Sequence, residues 1–461
     1  MRAASKRAHG FDSEPTNGLR GLRMTLNRQS AAHLLRRAAV GGTTAQIDSF
    51  VGMTEAAAVE RLFDTQTPGL PGFGAFDMGR EHWRSQEKMI EWWVDRMVSS
   101  EPSVEEKLTL FWHGHFTSAR EKVEDAELIW NQHVIMRDVG RRSFRNLIGR
   151  ISFDSAMLIY LDNETNVKGA EQENFARELM ELFTVGNGNF SEQDVVAMSK
   201  AWTGHNTVGA IRENNWVYDP AYIFRAEEHD NSQKTLFGET RNWDADDALD
   251  ALCTGPKAVD TSRFISRKMF QFYVHDNPSD AVVDELAAGF RQSGLAVGSL
   301  LRSILLHDEF WADHSRYALV KSPVEFMVDI MRRNGLTSAS EGVSVRWRME
   351  GMGMTLFDPP SVAGWGRNDF WLSTARQWNK ATWVNDLKWS AQDRGILQNL
   401  DSVGTQAAVD EILRFYSIFD ASDATRSAIA ELLETTKAER PWAMRSEPFA
   451  VGMFAPEVQC A

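Results

Sequence analysis

ENFARELMELFTVGNGNFSEQDVVAMSKAW, residues 173–202, is the stretch whose reading decides the fold. Stepped at about 100° per residue, its first eleven residues place Asn174, Arg177, Glu178 and Glu181 within an arc of about 100°. Phe175, Leu179, Met180, Leu182 and Phe183 take the opposite side, which predicts an amphipathic helix. The GNGN run at 186–189 stops it, and Ser191 with Asp194 caps a second helix running to about Trp202 and ending at Gly204. The two read as a helical hairpin.

The same period extends outward in both directions. Upstream, HLLRRAAVG ends at Gly41-Gly42, residues 45–63 repeat apolar positions at helical spacing, and 80–98 place Ile90, Trp93, Val94 and Met97 on one face. Ser103 with Glu106 fits a capping box before LTLFW, and 121–160 reads as helical throughout. Downstream, helices are expected over 261–273, 281–292, 299–307, from Ser322 to Gly335, and within 376–437. Residues 205–245 lose the period and predict a small β-hairpin near 215–240, while the last twenty residues read as irregular. Neither an internal repeat nor a Gly-rich strand-to-helix turn is present, which argues against a nucleotide-binding α/β domain. The expected fold is mainly α: a mobile basic tail over 1–30, one large helical domain with irregular loops over 31–390, and a helical extension over 391–461 packed on it.

Composition bounds the rest. With 461 residues, 43% hydrophobic and 25% charged, the chain can bury a large core, and disorder and collagen are excluded. The net charge of −14 disfavours non-specific binding to nucleic acid or anionic lipid. The first 37 residues are the exception, with eight basic against two acidic side chains; a polyanion-binding arm and a solvated tail both fit. No window approaches the ~18 apolar residues of a spanning helix, and the start lacks an apolar export region, which predicts a cytoplasmic protein without a membrane span. Two cysteines, Cys253 and Cys460, make neither a disulfide framework nor a thiolate zinc site. Sixteen tryptophans point to a deep interior or to ring-lined grooves.

Three clusters could carry chemistry. On the helix at 173–183, the carboxylates Glu178 and Glu181 share a stripe with Arg177 and Asn174; a solvated face with an Arg177–Glu181 pair is the alternative. In FWHGHF, His113 and His115 flank Gly114, whose freedom would let both imidazoles reach one ion; core histidines bonded to backbone would explain them equally simply. His229 and Asp230, followed by Lys234, sit on a loop where an Asx turn also accounts for Asp230. Mixed imidazole and carboxylate ligands suit zinc, iron or manganese rather than calcium. GxSxG, HExxH and the P-loop are all missing.

HLLRRAAVG, EKLTLFWHGHFTS, SAMLIYLDN, ENFARELMELFTVGNGNFSEQDV, the His-Asp-x-x-x-Lys-x-x-x-Gly pattern from His229 to Gly238, VKSPVEF and FDPPSVAGW occur in that order. The series resembles the bacterial "domain of unknown function 1800" family over about residues 31–390. The resemblance implies a family without a settled activity, often exported, and commonly encoded beside a sulfatase-like partner. The chain departs from the family pattern in lacking an export signal and in having His205 after Thr203-Gly204, where Trp is usual.

The expectation drawn is a metal-dependent enzyme acting on a small-molecule or polymer substrate. His113, His115, Glu178 and Glu181 would hold a divalent zinc, iron or manganese ion, with no organic cofactor. His229 or Asp230 would serve as general base or further ligand, and Arg177 or Lys234 would meet anionic charge. Metal-activated water attacking an ester or phosphoester leads; oxidation with the same ligands, or a non-catalytic assembly protein paired with a sulfatase-like partner, are the alternatives.

Overall fold

The computed structural model describes residues 25–78, 81–208, 221–340, 343–393, 397 and 399–461. Local signals set many of its helix ends. The helix Asn174–Glu181 buries Phe175, Ala176, Leu179 and Met180 and packs against Glu192–Ala201, the second arm of the expected hairpin. Ser191 and Asp194 form the capping box, and the chain turns at Gly204 with φ +80°. A Cβ there would lie 2.6 Å from the Arg225 carbonyl oxygen, so both conformation and space call for glycine. Ser322 and Glu325 likewise cap Pro323–Asn334, which Gly335 ends at φ 59°.

Tertiary packing overrides the local pattern in several places. Ser103 makes no side-chain cap, and the Glu106 carboxylate, the other half of the expected box, turns inward to Arg96, Arg137 and the Trp93 indole. The run at 45–63 is two helices, Thr44–Asp48 and Glu55–Asp64, parted by a turn at Gly52 with φ 85°. Residues 121–160 divide into Arg120–Val123, Ala126–Val139, Phe144–Ser152 and Ser155–Tyr160, with Asp125 and Asp154 capping two of the new starts. The last twenty residues hold the helices Glu447–Phe454 and Pro456–Gln459. Residues 1–24 of the expected tail lie outside the described residues, but Leu26 is buried and Asn27 caps Arg28–Ala38, so the packed body begins before residue 31.

Among the described residues strand structure is confined to two antiparallel pairs. His205–Val208 pairs with Ala221–Phe224, and Lys234–Leu236 with Glu239–Arg241. The second pair occupies the expected hairpin region, of which residues 215–220 lie outside the described residues.

One cluster of buried apolar side chains runs from Leu26 to Val458. The C-terminal segment shares it: Thr374–Asp393 packs on Glu447–Phe454, Lys321 N–H donates to Gln459 O, and Ala461 N–H to Leu319 O. Trp93, Trp112, Trp130, Trp202, Trp243 and Trp383 are fully buried, so much of the tryptophan excess is core. Among the described residues no helix is long and apolar enough to cross a membrane.

Candidate functional site

The helix Val104–His115 runs through Gly114 to the second histidine of FWHGHF. At about 100° per residue, side chains two apart diverge by about 200°, so the two imidazoles leave opposite faces. His113 packs among Trp93, Phe357 and Trp365, and its Nε2 accepts the Phe357 N–H at 3.0 Å. Burial pushes its pKa down to about 3. The ring nitrogen that would hold a metal is already used. His115 points the other way, and its Nε2–H donates to Phe183 O at 3.1 Å, leaving Nδ1 buried and unpartnered. The histidine segment therefore meets the end of the Asn174–Glu181 helix through a backbone carbonyl instead of a shared ion.

The polar stripe on that helix is spent mostly on neighbours. Arg177 does not pair with Glu181; it bridges to Glu192 at 2.7 Å and to Glu173 at 3.3 Å, tying the hairpin together. Asn174 donates to Asp162 at 3.2 Å. Glu178 is half-buried, and burial together with Glu181 raises its pKa. Among the described residues His113, His115, Glu178 and Glu181 do not gather as a ligand set.

The loop residues form a separate knot. His229 Nδ1–H donates to Thr203 O at 2.8 Å, and Asp230 N–H donates to Thr203 Oγ1 at 2.8 Å. Asp230 Oδ1 accepts from Ser232 N–H at 2.7 Å, the Asx turn given as the alternative to a catalytic role. Lys234, almost fully buried, donates to Ser232 O at 2.9 Å and Asn242 Oδ1 at 3.0 Å. The Thr203 contacts hold His229 and Asp230 against the end of the hairpin, while Lys234 ties residues 232–242 to one another. No hydrogen bond or ion pair among the described residues joins His229, Asp230 or Lys234 to His113, His115, Glu178 or Glu181.

A different convergence builds a cavity of about 230 Å³. The helix Val104–His115 contributes Lys107, Phe111, Gly114 and His115; Ala258–Tyr273 contributes Lys268 and Phe272; Arg28–Ala38 contributes Arg37. The Ser322 capping turn brings Ser322 and Glu325, and the loop after Pro360 brings Ala363, Trp365, Gly366 and Arg367. Gly364, at φ +80°, lets that loop close: a Cβ there would lie 2.5 Å from Gly114 O. Four of the seven motifs that carried the family resemblance thus line one cavity.

Its charges are unbalanced, with Arg37, Lys107, Lys268 and Arg367 beside the single carboxylate side chain Glu325. Glu325 is taken by Lys107, and Arg367 pairs with Asp276 at 3.1 Å. Arg37 spends Nη2 on the Val274 and Ser315 carbonyls, while its Nε and Nη1 are buried without an acceptor. Among the described residues Lys268 has no carboxylate partner. Its hydrogen bond to Leu182 O, at 3.4 Å, uses the carbonyl end of the Asn174–Glu181 helix. Burial first, and then Arg367, bring its pKa down to about 8. Phe111, Phe272, Trp365 and Trp371 supply ring walls.

Sequence reading placed Trp365 only within the FDPPSVAGW motif and missed Arg37 and Lys268, which lie in helices whose spacing announces only core. Their signal was weak, a basic residue on an otherwise amphipathic helix. It also missed a group of three metal-type ligands, His275, Glu309 and His314, whose ligand atoms lie within 4.8 Å of one another. Those residues lie 34 and 5 positions apart across three elements, and no spacing rule joins them.

No curated protein and no solved structure matches this chain. The family model does, and well past the 31–390 span that the motifs mark: the chain belongs to the proteins of unknown function DUF1800, matched over residues 33–460.

Proposed function

We propose that the protein binds a small organic anion, a carboxylate or a phosphate or sulfate ester with an apolar part, in the cavity between Arg37, Lys268 and Trp365. The observation that carries this reading is the pair of cations, buried Arg37 and half-buried Lys268, that line the cavity with no carboxylate of their own among the described residues. Buried charge without compensation costs several kcal/mol, which an anionic ligand would offset. The rings suit the apolar part, and His115 Nδ1 offers an acceptor to a ligand hydroxyl. This keeps the anionic substrate expected from sequence but moves its receptor from Arg177 and Lys234, which are both committed to structural contacts. An amine whose pKa is lowered near neutrality is also the group with which such a site could do acid–base chemistry. Hydrolysis by a metal held at His113, His115, Glu178 and Glu181 loses support, because those ligands diverge.

Phenyl phosphate, phenyl sulfate and benzoate, titrated calorimetrically against the full chain with neutral phenol as reference, test the proposal. At least one anion is expected to bind one per chain at neutral pH. Lys268→Met should weaken it by about 10-fold or more, in line with a charge-assisted hydrogen bond. Affinity should fall as pH rises through about 8, where Lys268 loses its proton, and this dependence should vanish in the variant. Anions that bind no better than phenol, or a Lys268→Met chain with unchanged affinity, would refute it.

A further inference from the structure

Beside Asp276, whose partners Arg367 and Asn368 line the anion cavity, three side chains from separate segments converge. His275 follows the helix Ala258–Tyr273 by two residues, Glu309 lies in the first turn of Asp308–Trp311, and His314 is in the short helix Asp313–Ser315. Both imidazoles aim Nε2 at the same carboxylate oxygen, Glu309 Oε2, at 3.3 Å from His275 and 2.8 Å from His314. We infer that His275, Glu309 and His314 form a binding site for a divalent transition-metal ion, zinc above all, with remaining coordination positions open to solvent.

The geometry suits such an ion. Zinc takes imidazole nitrogen and carboxylate oxygen at about 2.0–2.2 Å. At about 2.1 Å from an ion, the two N···O separations correspond to angles of about 85° and 105°, within the range between octahedral and tetrahedral coordination, and the two nitrogens, which lie within 4.8 Å, would sit at most about 4.2 Å apart once both are bound. Two imidazoles and one carboxylate select zinc, iron, nickel or copper over calcium and magnesium, which prefer all-oxygen shells. The open positions face a surface cavity that the three residues line together with Asp276, Asn277 and Ser279.

The scaffold holds the ligands in place. The His275 ring packs edge-on against buried Phe270, Ser315 Oγ donates to Glu309 O, and His33 Nε2 bonds Phe310 O at 2.8 Å beside Glu309. Coordination through Nε2 moves the His275 ring proton to Nδ1, so the Asn277 N–H contact there is given up; at 3.3 Å it is long and weak. Asp276 joins this site to the anion cavity: it pairs with Arg367 and accepts from Asn368, both of which line that cavity. The inference does not rest on the anion reading, because it uses none of the same side chains.

Zinc chloride titrated into the chelator-stripped full chain tests it, by calorimetry and by competition with a zinc indicator. One zinc per chain is expected, with calcium and magnesium failing to compete. Glu309→Gln and His314→Ala should each weaken it by about 100-fold or more, beyond the 10–100-fold of a ligand's supporting partner. His314 is 63% exposed on its side chain, so its replacement leaves the fold intact, as an unchanged melting temperature would show. Cobalt(II) in the same site should give visible absorption bands that the His275→Ala/His314→Ala chain lacks. Absence of stoichiometric zinc, or wild-type zinc affinity in that double variant, would overturn the inference.

Discussion

Glu106→Ala is expected to destabilise the protein by about 3–5 kcal/mol, the cost of leaving buried charge unpaired. The Glu106 carboxylate accepts from Arg96 Nε at 2.6 Å, from Arg137 Nη2 at 2.6 Å and Nη1 at 2.9 Å, and from the Trp93 indole at 2.9 Å. All three ionised side chains are nearly sealed, at 3%, 7% and 2% exposure. Burial alone would raise the Glu106 pKa, but Arg137 and Arg96 outweigh it and hold the pKa below the usual carboxylate range. Removing the carboxylate strands both guanidiniums inside the body, with only half-exposed Glu105 still near them at 3.2 Å. That remaining partner places the effect toward the lower end of the range. Side-by-side urea denaturation of wild type and variant measures it, and a midpoint shift worth less than about 1 kcal/mol would contradict the argument.

Asp154 should make stability depend on pH in the opposite sense to an ordinary paired carboxylate. It caps Ser155–Tyr160 by accepting from Met157 N–H and also accepts from Gln132 Nε2, both at 3.2 Å. Full burial raises its pKa to about 7. The folded state therefore holds a proton that the unfolded chain releases near 3.8. The stabilising contribution is complete below about pH 3.8 and is lost as pH rises through about 7. Three pKa units correspond to about 4 kcal/mol. Asparagine is as good an N-cap and carries no charge, so Asp154→Asn should gain about 4 kcal/mol on wild type between pH 3.5 and pH 8. Thermal or urea unfolding of both chains across that range checks it. A difference that stays constant with pH would show that burial does not control this carboxyl.

These effects depend on partners that no local pattern announces. Glu106 was legible as half of a capping box because Ser and Glu three apart before an apolar run satisfy that rule. In the folded chain the carboxylate has two guanidiniums to choose from, and ion pairing in a buried setting outweighs one cap. The FWHGHF segment shows the same limit in a different form. Its residue types are those of a metal site, yet their spacing on a continuous helix sends the two rings to opposite sides, and the helix continues because Gly114 adopts ordinary helical geometry within Val104–His115. Conversely, the Asx turn at Asp230 and the Ser191 and Ser322 capping boxes were readable, since each needs residues only two or three apart.

The sequence by itself determined the helical class, the hairpin at 173–202, many of the helix stops and the family. Each of these follows from periodicity, from caps and left-handed turns within a few residues, or from motifs in fixed order. Only the tertiary structure decided where chemistry can occur. Arg37, Lys268 and Trp365 are separated by up to 328 positions and meet because three helices and one glycine-hinged loop pack around a single space. The polar stripe and the loop knot, which looked catalytic as strings of residues, turn out to be spent on holding helices together. Burial, direction and unspent hydrogen-bonding capacity distinguish a site from a brace, and those are properties of the packed chain.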